Sequence, residues 1–379
     1  MQALARLCWL LVLCVCGTLG SSAVAQDVVR FPAKGRVPAG YPPQYAALIA
    51  AAEQEGKLVI HSTTDLAIAA PLVEDFQALY PRIEVSYHDM NTSDLHSGYL
   101  DDVLTSPTTA DILWSSAMDL QFRVANAGQA QAYDSPEAAA LPAWAVWKNL
   151  AFGTTSEPIA IVYNKKLLAE NEVPQTHADL TRLLTDGRAR FAGKVVTYNI
   201  ERSGLGFLLA TQDDMASTEY WALAKALGGV SAQVVLTTEA MLTRIAKGGD
   251  LIGYNALGSY ARIAAKKDAG LGYVFPRDYT LVVTRIMFIG KKAANPNAAR
   301  LWVDYLLSKR GQAVLANQAG LFAVRTDVDG VQPANTLAKA LGSNAKPIPL
   351  GPELVTTFSE PARRLAFLKQ WQQAVAVKH

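Results

Sequence analysis

Short β-type runs alternate with helical stretches of about ten residues along most of this chain, and that rhythm constrains the fold more than any other feature. Apolar or alternating runs at 57–61, 83–87 and 110–114 are spaced by helical patterns at 71–80 and 94–104, the first of these with Leu72, Phe76 and Leu79 on one face. The rhythm breaks at Phe152-Gly-Thr-Thr-Ser-Glu-Pro158, which follows neither period, and resumes with runs at 159–163, 193–198 and 251–254. A run at 279–289 is long enough to cross back between two units, and further helices are expected at 44–55, 204–212, 297–316 and 361–377. The fold class expected is α/β, with two lobes. Each lobe is a mainly parallel sheet flanked by helices, and hinge crossovers join them around a cleft.

At 379 residues the chain is too long for one ordinary core. Its expected division is a signal peptide at 1–25, a first lobe at 26–153 plus 282–328, and a second lobe at 154–281. Residues 329–379, rich in Pro and Gly up to 352, then form a tail and a helix packing on the lobes. The start reads as a secretory signal: a basic Arg6, an apolar run from Leu7 to Leu19, and Ala23-Val24-Ala25 as the cleavage site. That run is shorter than the roughly 20 residues that cross a bilayer. All three cysteines, Cys8, Cys14 and Cys16, lie in this segment. Cleavage after Ala25 leaves no disulfide, thiolate metal site or cysteine nucleophile. Val15 is a poor residue to precede a lipidated Cys16, so export as a free soluble protein is expected. Without Arg6, 34 basic against 33 acidic residues leave a net charge of +1. Nucleic acid and anionic membranes call for a concentrated basic surface, which this chain lacks.

Four turns share one pattern, in which a strand ends, a hydroxyl or glycine cluster follows, and a helix begins. They hold Ser62, Thr63 and Thr64; Trp114, Ser115 and Ser116; Glu201, Arg202 and Ser203; and Asn255, Ser259 and Tyr260, with Tyr254 just before. Free N–H groups, the positive helix end and hydroxyl donors together suit an anion, and ligands of open α/β sheets sit at the carboxyl ends of strands. Each turn alone is equally the ordinary N-cap pattern. Thr155 and Glu157, in the break, either add to the same cleft or belong to an ordinary hinge loop. Arg202 either grips a phosphate or carboxylate bidentately or is an ordinary exposed or salt-bridged arginine, and Trp114 is either a stacking surface or a core residue. Asn91-Thr92-Ser93 formally matches a glycosylation sequon. The histidines show no metal-binding spacing, and neither a nucleophile elbow nor a P-loop is present. No catalytic residue, metal or cofactor is therefore expected.

In four segments the chain resembles periplasmic solute-binding proteins of ABC importers, in the branch holding ferric-binding and hexose-phosphate-binding proteins. These are Leu58-Val-Ile-His-Ser-Thr-Thr-Asp65, the run from Ala110 to Leu120, Ile161-Val-Tyr-Asn-Lys165, and the run from Pro296 to Leu307. The resemblance implies the type II two-lobe periplasmic-binding-protein fold in a monomer. It further implies capture of a small solute in the periplasm for a membrane permease, with a sensor kinase as a possible further partner. Ferric-binding relatives carry two adjacent tyrosines where this chain has Ser259-Tyr260. One phenolate among neutral hydroxyls is a weak cage for a hard trivalent cation. The reading is therefore a receptor for a small organic anion, a phosphorylated metabolite such as a sugar phosphate or phosphoglycerate. Ferric iron and a secreted hydrolase or phosphatase are the alternatives.

Overall fold

Apolar runs and helical patterns assemble into two seven-stranded sheets in the computed structural model, which describes residues 37–330, 339–356 and 361–376. The signal segment and its cleavage site lie outside the described residues. Strands β1 (Lys57–Ser62), β2 (Glu84–Asp89), β3 (Ile112–Ser115), β4 (Ala130–Gln131), β5 (Val146–Trp147) and β6 (Ala151–Gly153) belong to the first sheet. The chain then enters the second sheet with β7 (Glu157–Asn164), β8 (Val195–Tyr198), β9 (Gln233–Val235), β10 (Ile252–Leu257), β11 (Leu271–Val274) and β12 (Thr280–Val283). Strand β13 (Ile286–Gly290) returns to the first sheet and β14 (Ala345–Pro347) to the second. The orders are β2-β1-β3-β13-β6-β5, with β4 on β13, and β14-β12-β7-β10-β8-β9, with β11 on β7.

The sheets are mixed rather than mainly parallel. Strand β1 pairs parallel with β2 and β3, and β8 with β9 and β10. Strands that arrive through a crossover run the other way: β7 is antiparallel to β10, β11 and β12, and β13 to β3, β4 and β6. The apolar run at 279–289 is two strands in different sheets, parted at Thr284-Arg285. This crossover lies beside the one at Thr154–Ser156. Thr154 N donates to Arg285 O at 2.9 Å, and Arg285 N to Thr155 Oγ1 at 2.9 Å.

Local chemistry explains two shifts in helix bounds. The helix Leu66–Leu79 begins ahead of Pro71, which sits inside it. Proline favours a first turn, so it reads as a start that tertiary packing overrides. Helix 297–316 is two helices, Pro296–Leu307 and Lys309–Asn317, because Ser308 is extended and its side chain caps Gly311 N. The first lobe closes where Phe76 meets Trp302 and Tyr305 edge-on, at 5.2 and 5.5 Å between ring centroids. In the second lobe Phe367 and Trp371, on the helix Pro361–Val375, join the core of Leu180, Leu184, Phe207 and Tyr220. Among the described residues no helix is long and apolar enough to cross a membrane.

Candidate functional site

Helices follow six of the parallel-paired strands, and all six strand-to-helix turns reach one cavity. Its volume is about 290 Å³. From the first sheet come Thr63 and Asp65, Asp89 to Thr92, and Ser116; from the second come Tyr198, Leu205, Thr237 to Glu239, Leu257 and Tyr260. Each turn precedes a helix: Leu66–Leu79, Thr92–Thr105, Met118–Val124, Gly204–Ala216, Thr238–Ala246 or Gly258–Lys267. Parallel pairing points these strand ends the same way, so the positive ends of six helix dipoles converge on one space.

Many of the donors there already have partners. Asn91 Oδ1 accepts from Ser93 N and Asp94 N, Thr237 Oγ1 from Ala240 N, and Asp89 Oδ2 from Leu66 N. Across the cleft at this cavity the two walls are joined by hydrogen bonds. Asp65 N donates to the Tyr260 hydroxyl at 3.2 Å, Gly204 N to Thr92 Oγ1 at 2.9 Å, and Ser93 Oγ to Arg202 O at 2.6 Å. On the first-lobe wall Thr63 Oγ1 accepts from Ser116 N at 3.1 Å and lies 3.5 Å from Ser116 Oγ.

Of the residues singled out in the sequence, Thr63, Ser116 and Tyr260 line this cavity. The others lie off its wall, for reasons visible in their bonds. Ser62 donates to Trp114 O and accepts from Thr64 N, Ser115 caps Ala117 N, and Ser203 donates to Leu236 O while capping Gly206 N. Trp114 is a core residue, fully buried with Nε1 bonded to Thr154 Oγ1 at 2.8 Å. Thr155 and Glu157 lie at the crossover and Thr64 in the first-lobe turn that meets it, each bonded to Arg285. Tyr254 and Asn255 both donate to the buried Asp213, at 2.7 and 2.8 Å. Ser259 is buried, and Glu201 is exposed and accepts from Gln372. Arg202, the expected neutraliser of an anion, is exposed and joins the cleft only through its backbone carbonyl.

Sequence reasoning missed Arg285 and two turns. Strand β9 is only three residues long and carries no readable period, so Thr237-Thr238 went unseen. Asn91-Thr92, which matches a glycosylation sequon, is the cap of a helix. A hydroxyl or amide directly after an apolar run was the available signal in both. Arg285 is fully buried where the crossovers meet. Its Nη1 donates to Thr64 Oγ1 at 3.0 Å, its Nε faces Glu157 Oε1 at 3.3 Å, and its guanidinium lies 5.4 Å from the Tyr260 ring centre. Burial opposes the charge, but Tyr260, Glu157 and Tyr87 outweigh it and hold the pKa above the ordinary value. Burial, with Asp65 adding, pushes the Tyr260 phenol well up against the pull of Arg285, so it is neutral at ordinary pH.

The cavity thus offers hydroxyls, an amide, helix ends and a cation held behind Tyr260. Its wall also carries three carboxylates, Asp65, Asp89 and Glu239, and among the described residues no arginine or lysine lines it. Nor do the described residues hold a group of three or more His, Cys, Asp or Glu able to bind a metal ion.

A family model described as bacterial extracellular solute-binding protein matches residues 107–346. The substrate-binding protein of an ABC transporter from Agrobacterium tumefaciens is 36% identical, with a TM-score of 0.81 over 84% of this chain and 94% of that one. The periplasmic binding protein AfuA from Actinobacillus pleuropneumoniae, solved with exogenous fructose-6-phosphate bound, is similar in fold at 18% identity and TM-score 0.67, over 85% of this chain and 99% of that one. Iron-bound HitA from Pseudomonas aeruginosa shares the fold at 17% identity and TM-score 0.63, over 84% of this chain and 99% of that one. Among curated proteins no match was found.

Proposed function

The chain belongs to the bacterial extracellular solute-binding protein family, and on that premise we propose that its solute is a small organic anion with hydrogen-bond donors on its body. Family membership carries with it a periplasmic location and delivery of a small solute to an ABC permease. The observation behind the finer reading is the meeting of six helix N-termini on one cavity, an arrangement that favours an anionic head. Thr63 and Ser116 on one side and Thr237 and Thr238 on the other supply hydroxyls to that head. Asp65, Asp89 and Glu239 would repel a second negative charge but accept bonds from hydroxyls. A phosphorylated polyol satisfies both demands, and AfuA offers a fold precedent for such a solute. Arg285 acts as the fixed positive charge behind the site, in the role the sequence reading gave to Arg202.

Because both lobes line the cavity, a bound solute holds the closed form, so binding shifts an open–closed equilibrium about the paired crossovers. That closed form is the state a permease, or a sensor kinase, would read. Ferric iron is the poorer fit. The one tyrosine on the wall at the family's metal-binding turn is held neutral, and a buried guanidinium next to it repels a trivalent cation.

A thermal-melt screen tests the reading against sugar phosphates, phosphoglycerates, inorganic phosphate, carboxylates and ferric citrate. A solute at 100 times its Kd adds about 2.7 kcal/mol. A selective upward shift with one phosphorylated compound is the expected result. A shift with ferric citrate and none with any phosphate overturns it.

A further inference from the structure

Beyond the cavity the cleft opens into a second space of about 500 Å³, which shares Asp65, Asp89, Glu239 and Tyr260 with the first. These four residues form a collar between two unlike environments. On the inner side lie hydroxyls and helix ends. On the outer side the wall is largely hydrocarbon: Ala67 and Ile68 from the helix Leu66–Leu79, Leu242 and Ala246 from Thr238–Ala246, and Ile263 and Ala264 from Gly258–Lys267. Lys267 and Asp268, of opposite sign, are its charged members beyond the collar. A compact phosphorylated metabolite seated in the inner cavity would leave this space to water.

We infer that the solute is elongated, with its anionic head in the inner cavity, a hydroxyl or ammonium donor at the collar, and an uncharged hydrocarbon arm in the outer groove. Three observations carry the assignment. The groove adjoins the inner cavity at four shared residues, where Asp65 N donates to the Tyr260 hydroxyl, so a single molecule reaching both would pass beside that bond. The collar carboxylates accept hydrogen bonds and repel a second anionic group, which excludes bisphosphates and dicarboxylates long enough to reach past it. The groove wall is apolar and comes from both lobes, so an arm lying there removes hydrocarbon surface from water and adds contacts present only when the lobes are closed. The head's identity rests on the anion reading above, whereas the arm does not depend on it.

Calorimetric titration of the purified protein with 2-hydroxyalkyl phosphates of two, four and six carbons tests this. Inorganic phosphate serves as the head alone, and uncharged 1,2-alkanediols of the same lengths as headless controls. Affinity should rise roughly threefold to fourfold for each methylene entering the groove. Ile68→Ser should flatten that dependence. Ala67→Asn, at an exposed position in the first turn of its helix, should flatten it too, and it remains informative if the first variant folds poorly. Binding of the phosphates with no dependence on arm length overturns the arm and leaves the anion reading standing. Length-dependent binding of the diols with no preference for the phosphates overturns the anionic head and supports the arm. Failure of every member of both series overturns both.

Discussion

Arg285 reaches from its crossover into the first lobe and donates from Nη1 to Thr64 Oγ1 at 3.0 Å, across 221 residues of chain. Thr64 follows Thr63 on the cavity wall. The same guanidinium faces Glu157 at the start of β7 and the ring of Tyr260. One buried cation thus touches both lobes at the place where the chain passes between them. Both side chains of the Arg285–Glu157 pair are fully buried, and among the described residues Arg285 Nη2 has no hydrogen-bond partner, which marks this as a polar centre enclosed by crossover strands rather than a surface ion pair.

Replacing Arg285 by Met should cost about 3–5 kcal/mol, because it strands a buried carboxylate. Adding Glu157→Gln should recover part of that loss. Urea unfolding measures both, and a single-variant cost below about 1 kcal/mol would remove the pair from the list of stabilising features.

Asp119 gives stability a pH dependence of definite sign. Burial raises its carboxyl from 3.8 to about 6, against the opposing pull of Arg123 and Arg364. The folded state therefore holds this proton more tightly than the unfolded chain. The contribution is fully present below about pH 4 and is lost as pH rises through about 6. Relative to an Asp119→Asn variant, wild type should lose about 2 kcal/mol between pH 4 and pH 7.5. Parallel unfolding curves at the two pH values would refute the assignment. Asp304, also raised to about 6 by burial although Ser135, Tyr133 and Tyr45 donate to it, acts in the same direction and is present in both proteins.

Side chains on the cavity wall should matter where Arg202 does not. Ser116→Ala and Thr63→Val each remove a hydroxyl offered to an anionic head, and each should weaken solute binding roughly tenfold or more. Arg202→Ala, at an exposed position, should stay within about twofold, as a surface charge does. Calorimetry on the three variants decides. A large loss in Arg202→Ala with none in the other two would return the site to the third turn.

Gly258 opens the helix that carries Tyr260, in a space no side chain fits. A Cβ there would meet Phe275 at 2.6 Å and the Pro158 carbonyl oxygen at 2.7 Å. The second contact is backbone, which cannot turn aside. Gly258→Ala should cost about 1–3 kcal/mol and weaken solute binding by displacing Tyr260. An unchanged melting temperature would show that the crossover yields more easily than its packing implies.

Much of the architecture was legible because its causes are local. The runs at 57–61 and 110–114 and the helix after Ser203 follow from apolar period and N-cap chemistry, and each lies within a few residues of its expected place. Legibility failed where an element is short or borrowed. β9 is too brief to show a period, and Pro71 imitates a helix start. Strand direction is not a local property either, so the antiparallel entry of β7 and β13 was hidden.

The sequence by itself determined two α/β units, a break near 152–158, and hydroxyl-bearing turns at strand ends, since period and capping are settled by neighbours along the chain. Only the tertiary structure decided which of those hydroxyls face a cavity. Ser62, Ser115 and Ser203 have the same chemistry as Thr63 and Ser116, but only the last two line the cavity, and the other three are buried beside it with their oxygens on backbone groups. The choice of cation was likewise tertiary. Arg202 stands in a promising turn and points to solvent, while Arg285, in an apolar run, is buried where two crossovers meet. Burial and distant partners assign a charge its role, and neither is written in the residues beside it.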